Sequence, residues 1–312
     1  MKKIAEIVGA ARLERIHGGC INQTFRAHSS NGKDYFIKYQ CDTMALSMFL
    51  AEQRSLNVLR KYADSCGFIV PKPYFVYDFE RGRKYTINEF VSTAEHSGEA
   101  MLVMEYVEMK ATHTEQEEHE FARALARLHQ HALSPNKQFG FEFDNFIGKT
   151  LQKNPWTEDW ISFFRDQRLG FQLDLLRQMP SSPNLERLLE KGNVVLLQIH
   201  RYFDMLTEPV VPVLICGDLW SGNMAFSKKD GNPVLFDPAC YYAHHEMELS
   251  IMDMFGGFSR RHFFDVYHQE MLPEPGWQQR RALYQLYHVL NHLNLFGEGY
   301  IDWALMLMEE LA

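Results

Sequence analysis

The stretch VPVLICGDLWSGNMAFSKKDGNPVLFDPA, residues 211–239, does most to limit how this chain can fold. It interrupts a long region of helical periodicity with three apolar runs, 211–215, 224–227 and 233–236, each too short for a helix. Asp230-Gly231 stands between the last two, and Asp-Gly between apolar runs is a strong hairpin signal. Pairing those runs brings Asn223, just before the first strand, and Asp237, just after the second, to the same open end. Antiparallel neighbours there are about 5 Å apart. Asp218 lies on the loop leading into that end.

The sequence on either side differs in texture. The first hundred residues read as strand-rich, with IHGGCINQTFRAHSSNGKDYFIKYQ forming two strands about a turn at Ser29-Ser30-Asn31-Gly32. Lys38 lies on the second of these. MALSMFLAEQRSLNVLRKY follows with apolar residues at helical spacing and Glu52 on the same segment, and further strands are expected at KPYFVYDF, KYTINEFV and AMLVMEYV. After Val107 the pattern turns helical. Thr114 and Glu117 have capping-box spacing, and helices are expected near 157–178, 184–206, 246–254, 260–270 and 277–294. The expected architecture is α+β and two-lobed, a small antiparallel β lobe with one helix (1–107) and a larger helical lobe (108–312), forming one cleft.

Bulk properties narrow the function classes. With 46% hydrophobic and 23% charged residues the chain suits a packed core, and a net charge of −8 argues against a nucleic-acid partner. The N-terminus MKKIAEIVGA is not a signal peptide, and no run of about 18 apolar residues suggests a membrane partner. Five scattered cysteines without a CxxC pair fit reduced thiols in a cytoplasmic protein.

Within this frame the hairpin end acquires chemistry. Asn223 and Asp237 supply the hard oxygen donors that suit Mg²⁺, which prefers few protein ligands beside phosphate oxygens. Asp218 precedes Asn223 with the spacing D-x-x-x-x-N, in which the Asp accepts a hydroxyl proton during phosphoryl transfer. The order Gly18-Gly19, Lys38, Glu52 upstream is that of an ATP lobe: a glycine turn over phosphates, a strand Lys on them, and a helix Glu holding the Lys. Glu105, Tyr106 and Val107 at the lobe junction would border the adenine.

Taken together, HGGCINQTF, YFIKY, AEQRSLNVL, LVMEYV, FGFEFDNFIG, PWTEDWISFFRDQRL, GDLWSGN, FDPACYYAHHEMELSIMDMFGGF and QLYHVLNHLNLFGEGY resemble the fructosamine-3-kinase (ketosamine-3-kinase) family across nearly the whole chain. The resemblance implies a protein-kinase-like fold related to aminoglycoside and choline kinases. It also implies ATP-dependent phosphorylation of the sugar 3-hydroxyl in fructosamines or ribulosamines, free or on protein lysines, which leads to deglycation. On that pattern Asp218 matches the base, Asn223 and Asp237 the metal ligands, Lys38 and Glu52 the ion pair, and Trp220 a ring packing on the sugar. His245, Glu246 and His288 are expected on the substrate side.

The pattern is departed from in three places. The usual HGD reads Cys216-Gly217-Asp218, Ala243 stands where Gly is common, and His245 stands where Arg is frequent. Cys216 would remove an imidazole brace behind the loop without removing a residue that meets phosphate. Two alternatives stay open: a kinase for another hydroxyl acceptor of aminoglycoside or choline type, and an ATP-binding regulatory module without turnover. Cys20, in the glycine turn, is a candidate for redox control through an intermolecular disulfide. A monomer or a homodimer is expected.

Overall fold

A computed structural model describes residues 1–16, 22–30, 32–87, 89 and 97–311. Gly18, Gly19 and Cys20 lie outside these, so the glycine turn and the redox candidate have no structural account. The chain divides into two units, Met1–Phe121 with Gly222–Pro238, and Ala122–Ser221 with Ala239–Ala312. The first unit therefore runs past residue 107 and takes in the hairpin of residues 222–238 as well.

In the first unit a six-stranded antiparallel sheet has the order Ala10–Ile16, Gln23–Ser29, Asp34–Gln40, Ala100–Glu105, Pro73–Asp78, Arg83–Tyr85. Phe25, Ala27, Ile37, Met101 and Val103 bury one face together with Ile4 and Phe79. The helix Ala45–Cys66 packs on the strands Pro73–Asp78 and Ala100–Glu105. Its buried set Leu46, Phe49, Leu50, Leu56 and Leu59 recurs at helical spacing, as the sequence implies. Gly67 ends it in the left-handed conformation at φ 86, where a Cβ would be strained.

Asp230-Gly231 makes the expected connection. Met224–Ser227 pairs antiparallel with Pro233–Leu235, from Met224 opposite Leu235 to Phe226 opposite Pro233. Ile69 fastens the hairpin to the rest of its unit, donating to the Pro233 carbonyl at 2.7 Å and accepting from the Leu235 N–H at 2.9 Å. The helix Glu115–His131 opens on the reciprocal cap read from the sequence, with Glu117 N–H donating to Thr114 Oγ1 (3.2 Å) and Thr114 N–H to Glu117 Oε2 (2.8 Å).

The second unit is mainly helical. Its longest helix, Trp277–Phe296, packs against Glu246–Met254 and Ile301–Glu310. The short strand Val213–Ile215 pairs with Tyr241–Ala243, which sequence reading does not anticipate, and Ile215 is followed directly by the 216–223 loop. Among the described residues no helix is long and apolar enough to cross a membrane.

Candidate functional site

Lys38 occupies the middle of the sheet of the first unit, opposite Thr24 on one side and Leu102 on the other. Successive side chains on a strand point to opposite faces, so Ile37 enters the core and Lys38 leaves it. The Lys38 Nζ meets Glu52 Oε1 at 2.7 Å and also Asp237 Oδ1, while the residue itself is only 4% exposed. The ion pair read from strand and helix order is thus in place, and Asp237 joins it.

Two carboxylates share this one ammonium. Burial alone would lower the Lys38 pKa, but Asp237 and Glu52 more than offset it, so the pKa is raised and the lysine stays charged. Burial pushes the Glu52 carboxyl up to about 7 against the pull of Lys38, with Asp237 adding to the rise. Glu52 is held deeper than Asp237, with side-chain exposures of 14% and 38%.

The hairpin explains how Asp237 arrives there. Phe236 N–H donates to the Asn223 carbonyl at 3.1 Å, extending the pairing by one step and bringing Asn223 and Asp237 to one end. Asp237 has φ 54, a left-handed conformation that Asp tolerates better than most residues with a Cβ. An amide oxygen and a partly exposed carboxylate at a hairpin end suit a hard divalent cation such as Mg²⁺.

Asp218 belongs to the second unit, where it is half-buried on the loop after Val213–Ile215. A buried carboxylate that the sequence reading does not single out holds this loop. Glu248, which is 0% exposed, accepts the N–H of Gly217 at 3.0 Å through Oε1 and that of Cys216 through Oε2. Burial pushes Glu248 up to about 7, opposed by the N–H groups of Cys216, Gly217 and Leu219. Residue 216 is thus braced through its backbone. Its own thiol is raised well above the usual range, first by burial and then by Glu248, and stays neutral. The EMEL segment carries the signal for Glu248, but only the fold reveals which backbone groups it meets.

Gly217 is fixed by contact as well as conformation. It has φ 82, and a Cβ there would stand 2.2 Å from the Ala239 carbonyl oxygen. Trp220, two residues beyond Asp218, is half-buried with its ring edge-on to Phe255 at 5.8 Å.

The expected substrate-side residues divide. Glu246 is buried in an ion pair. Arg280, itself 0% exposed, clamps both Glu246 oxygens at 2.7 and 2.8 Å, which leaves the carboxylate closed to a substrate. His244, His245 and Glu246 bring ligand atoms within 4.8 Å of one another, but the Arg280 clamp makes this an ion pair with flanking imidazoles. His245 is half-buried, and burial, followed by neighbouring His244, lowers its pKa to about 3. His288 lies in the core at 1% exposure with neither ring nitrogen hydrogen-bonded among the described residues, and burial lowers it to about 3 as well.

At the expected adenine border Glu105 is exposed, and Tyr106 and Val107 are half-buried. Glu105 is tied to Lys72 by its N–H (2.8 Å) and its carboxylate (3.2 Å), and Arg26 lies 4.1 Å from the Tyr106 ring centroid.

The chain is similar to known proteins along its full length. The chloroplastic protein-ribulosamine 3-kinase of Oryza sativa subsp. indica is 35% identical over 308 residues, spanning 99% of this chain and 80% of the relative. The crystal structure of a Thermobifida fusca protein described as a fructosamine-3-kinase is 25% identical, with a TM-score of 0.75, over 99% of this chain and 97% of that one. The choline kinase of Streptococcus pneumoniae, 16% identical, has a TM-score of 0.62 over 99% of this chain and 97% of its own, which places the fold among protein-kinase-like enzymes. The family model described as fructosamine kinase matches residues 2–312, and the chain belongs to the fructosamine kinase family.

Proposed function

We propose that this chain transfers the γ-phosphoryl group of ATP to the 3-hydroxyl of the sugar in a ketosamine, with a ribulosamine or fructosamine on a lysine-type amine as acceptor. The observation that carries the phosphotransfer reading is the buried Lys38, held by Glu52 and Asp237. Family membership carries the choice of acceptor.

Each residue then has one task. Glu52 aims Lys38, whose charge meets the α- and β-phosphates. Asn223 and Asp237 would hold Mg²⁺, which when bound offsets phosphate charge. Asp218 accepts the proton of the 3-hydroxyl as its oxygen attacks the γ-phosphorus and ADP departs. Glu248 holds the backbone of that loop, so Asp218 is presented in one position. Trp220 offers a flat apolar ring to a sugar C–H face. The phosphorylated adduct is unstable and frees the amine, which makes the activity a deglycation. Its need for ATP, together with Cys41, Cys66, Cys216 and Cys240 outside any disulfide among the described residues, supports a reducing, ATP-supplied compartment, the cytoplasm.

The test is ATP turnover with ribulosamines, fructosamines, aminoglycosides and choline offered in parallel. Ketosamines should be the acceptors used. Loss of the general base typically costs about 10²–10⁴-fold, so Asp218→Asn should lose turnover on that scale while still binding nucleotide. Turnover confined to an aminoglycoside or choline, or full activity in Asp218→Asn, would sink the assignment.

A further inference from the structure

A strip of aromatic rings begins two residues from Asp218 and has no part in the mechanism above beyond its first member. Trp220 meets Phe255 at 5.8 Å between centroids, and Phe255 meets His292 at 5.1 Å. His292 in turn meets Tyr300 at 5.2 Å and Phe296 at 5.6 Å. Trp220, Phe255, His292 and Tyr300 are half-buried, and Phe296 is 56% exposed. A contiguous aromatic surface left open to water is costly unless it serves recognition. All five residues belong to the second unit, which also carries Asp218.

The strip is fixed against the catalytic loop. A Cβ at Gly257 would stand 2.4 Å from Ser221 Cβ, so the segment bearing Phe255 abuts the loop residue next to Trp220. At the other end Phe296 closes the helix Trp277–Phe296, and Tyr300 follows one short turn later. The strip therefore has a defined start at the base and a defined direction away from it.

Carboxylates stand at the far end of the strip, where Glu298 and Asp302 flank Tyr300 in the sequence. Burial lowers the pKa of His292, so its ring stays neutral and does not repel a cation. Electron-rich ring faces attract an ammonium group, and apolar faces accept methylenes.

We propose that Phe255, His292, Phe296 and Tyr300, continuing from Trp220 of the loop, form the subsite for the amine arm of the acceptor, its secondary ammonium and the aliphatic chain beyond. The inference rests on the ketosamine reading above. When Asp218 meets the 3-hydroxyl, the nitrogen lies one carbon beyond the ketone, on the side away from the rest of the sugar. The ammonium then falls beside the first rings, and a lysine-length chain runs along the strip towards Phe296. The rings so select for the amine, whereas the loop selects for the sugar.

Two ribulosamines with the same sugar separate these roles, one built on methylamine and one on the ε-amine of Nα-acetyl-lysine. The reading is the ratio of their kcat/KM values in the unsubstituted protein, in Phe296→Ala and in Phe296→Tyr. The preference for the lysine-linked acceptor should fall by about fourfold in Phe296→Ala, the scale of one methylene taken out of water, and return in Phe296→Tyr. An equal change for both acceptors, or none, would overturn the subsite. So would a dimer that Phe296→Ala dissolves with acceptor preference unchanged, which would assign the strip to self-association. If the unsubstituted protein phosphorylated no ketosamine at all, the kinase reading itself would fall, and the subsite with it.

Discussion

Two buried ion pairs, one in each unit, look alike in sequence and differ in construction. Arg280 and Glu246 form a closed, two-pronged pair in which neither side chain is more than 2% exposed. Lys38 is as deeply buried but is shared between Glu52 and a second carboxylate, Asp237, whose side chain is 38% exposed. The Arg280 guanidinium grips one carboxylate at two points and gives further N–H groups to the Pro275 and Glu274 carbonyls, whereas an ammonium is a compact point charge. Acid in excess over base, with one acid reachable from solvent, is the construction that the proposed phosphate and metal roles require. The balanced pair holds helices together.

The comparison can be broken most decisively at Arg280. Removing one partner of a buried pair typically costs about 3–5 kcal/mol, so Arg280→Met should lower the denaturant midpoint sharply while protein that remains folded keeps its turnover. Lys38→Met should instead strike turnover. Loss of one preorganised electrostatic group costs about 10²–10³-fold in kcat, and that loss should persist in the Lys38→Met protein that remains folded. If the two variants exchanged phenotypes, the distinction drawn from their geometry would be wrong.

A smaller effect comes from the imidazoles of the second unit. His245 and His288 have folded pKa values lowered to about 3. Below the unfolded histidine value, near 6.5, the unfolded chain binds protons that the folded chain does not, so stability falls as the pH falls. Each contributes at most about 1.4 kcal/mol per pH unit from there down to its folded value. Denaturation at pH 7, 6 and 5 should show this slope, and His288→Phe should flatten it because no hydrogen bond is lost with the ring. An unchanged slope in that variant would remove His288 from the account.

Cys216→His should have the smallest effect, a change in rate of a few-fold at most, because Glu248 grips the backbone of residue 216 whatever its side chain. A silent native protein brought to life by that substitution would mean the thiol, and not the backbone brace, decides activity.

Much of this was legible from local pattern. The hairpin about Asp230-Gly231, the cap of Thr114 and Glu117, and the order of Lys38 and Glu52 all depend on near neighbours or on one strand and its following helix. The strand Ala10–Ile16 is not legible in the sequence, because AARLERI is largely exposed and lacks a clean apolar alternation. Glu246 and Glu248 could not be told apart on paper. Both are acids on one helix, and only three-dimensional packing sends one to Arg280 and the other to the loop at 216–217. His288 was similarly ambiguous, since a histidine at helical spacing fits a core position as well as a binding wall.

Gly217 has a consequence for variation in this protein. The Ala239 N–H donates to the Cys216 carbonyl at 2.7 Å, and the Ala239 oxygen fills the space where any side chain at 217 would begin. Tolerance at 217 is therefore independent of side-chain chemistry: alanine should fail there as surely as tryptophan. In a library of all single substitutions, position 217 should read as uniformly dead, the smallest side chains included. Such a profile would record two backbones locked against each other, with no room left for either to drift.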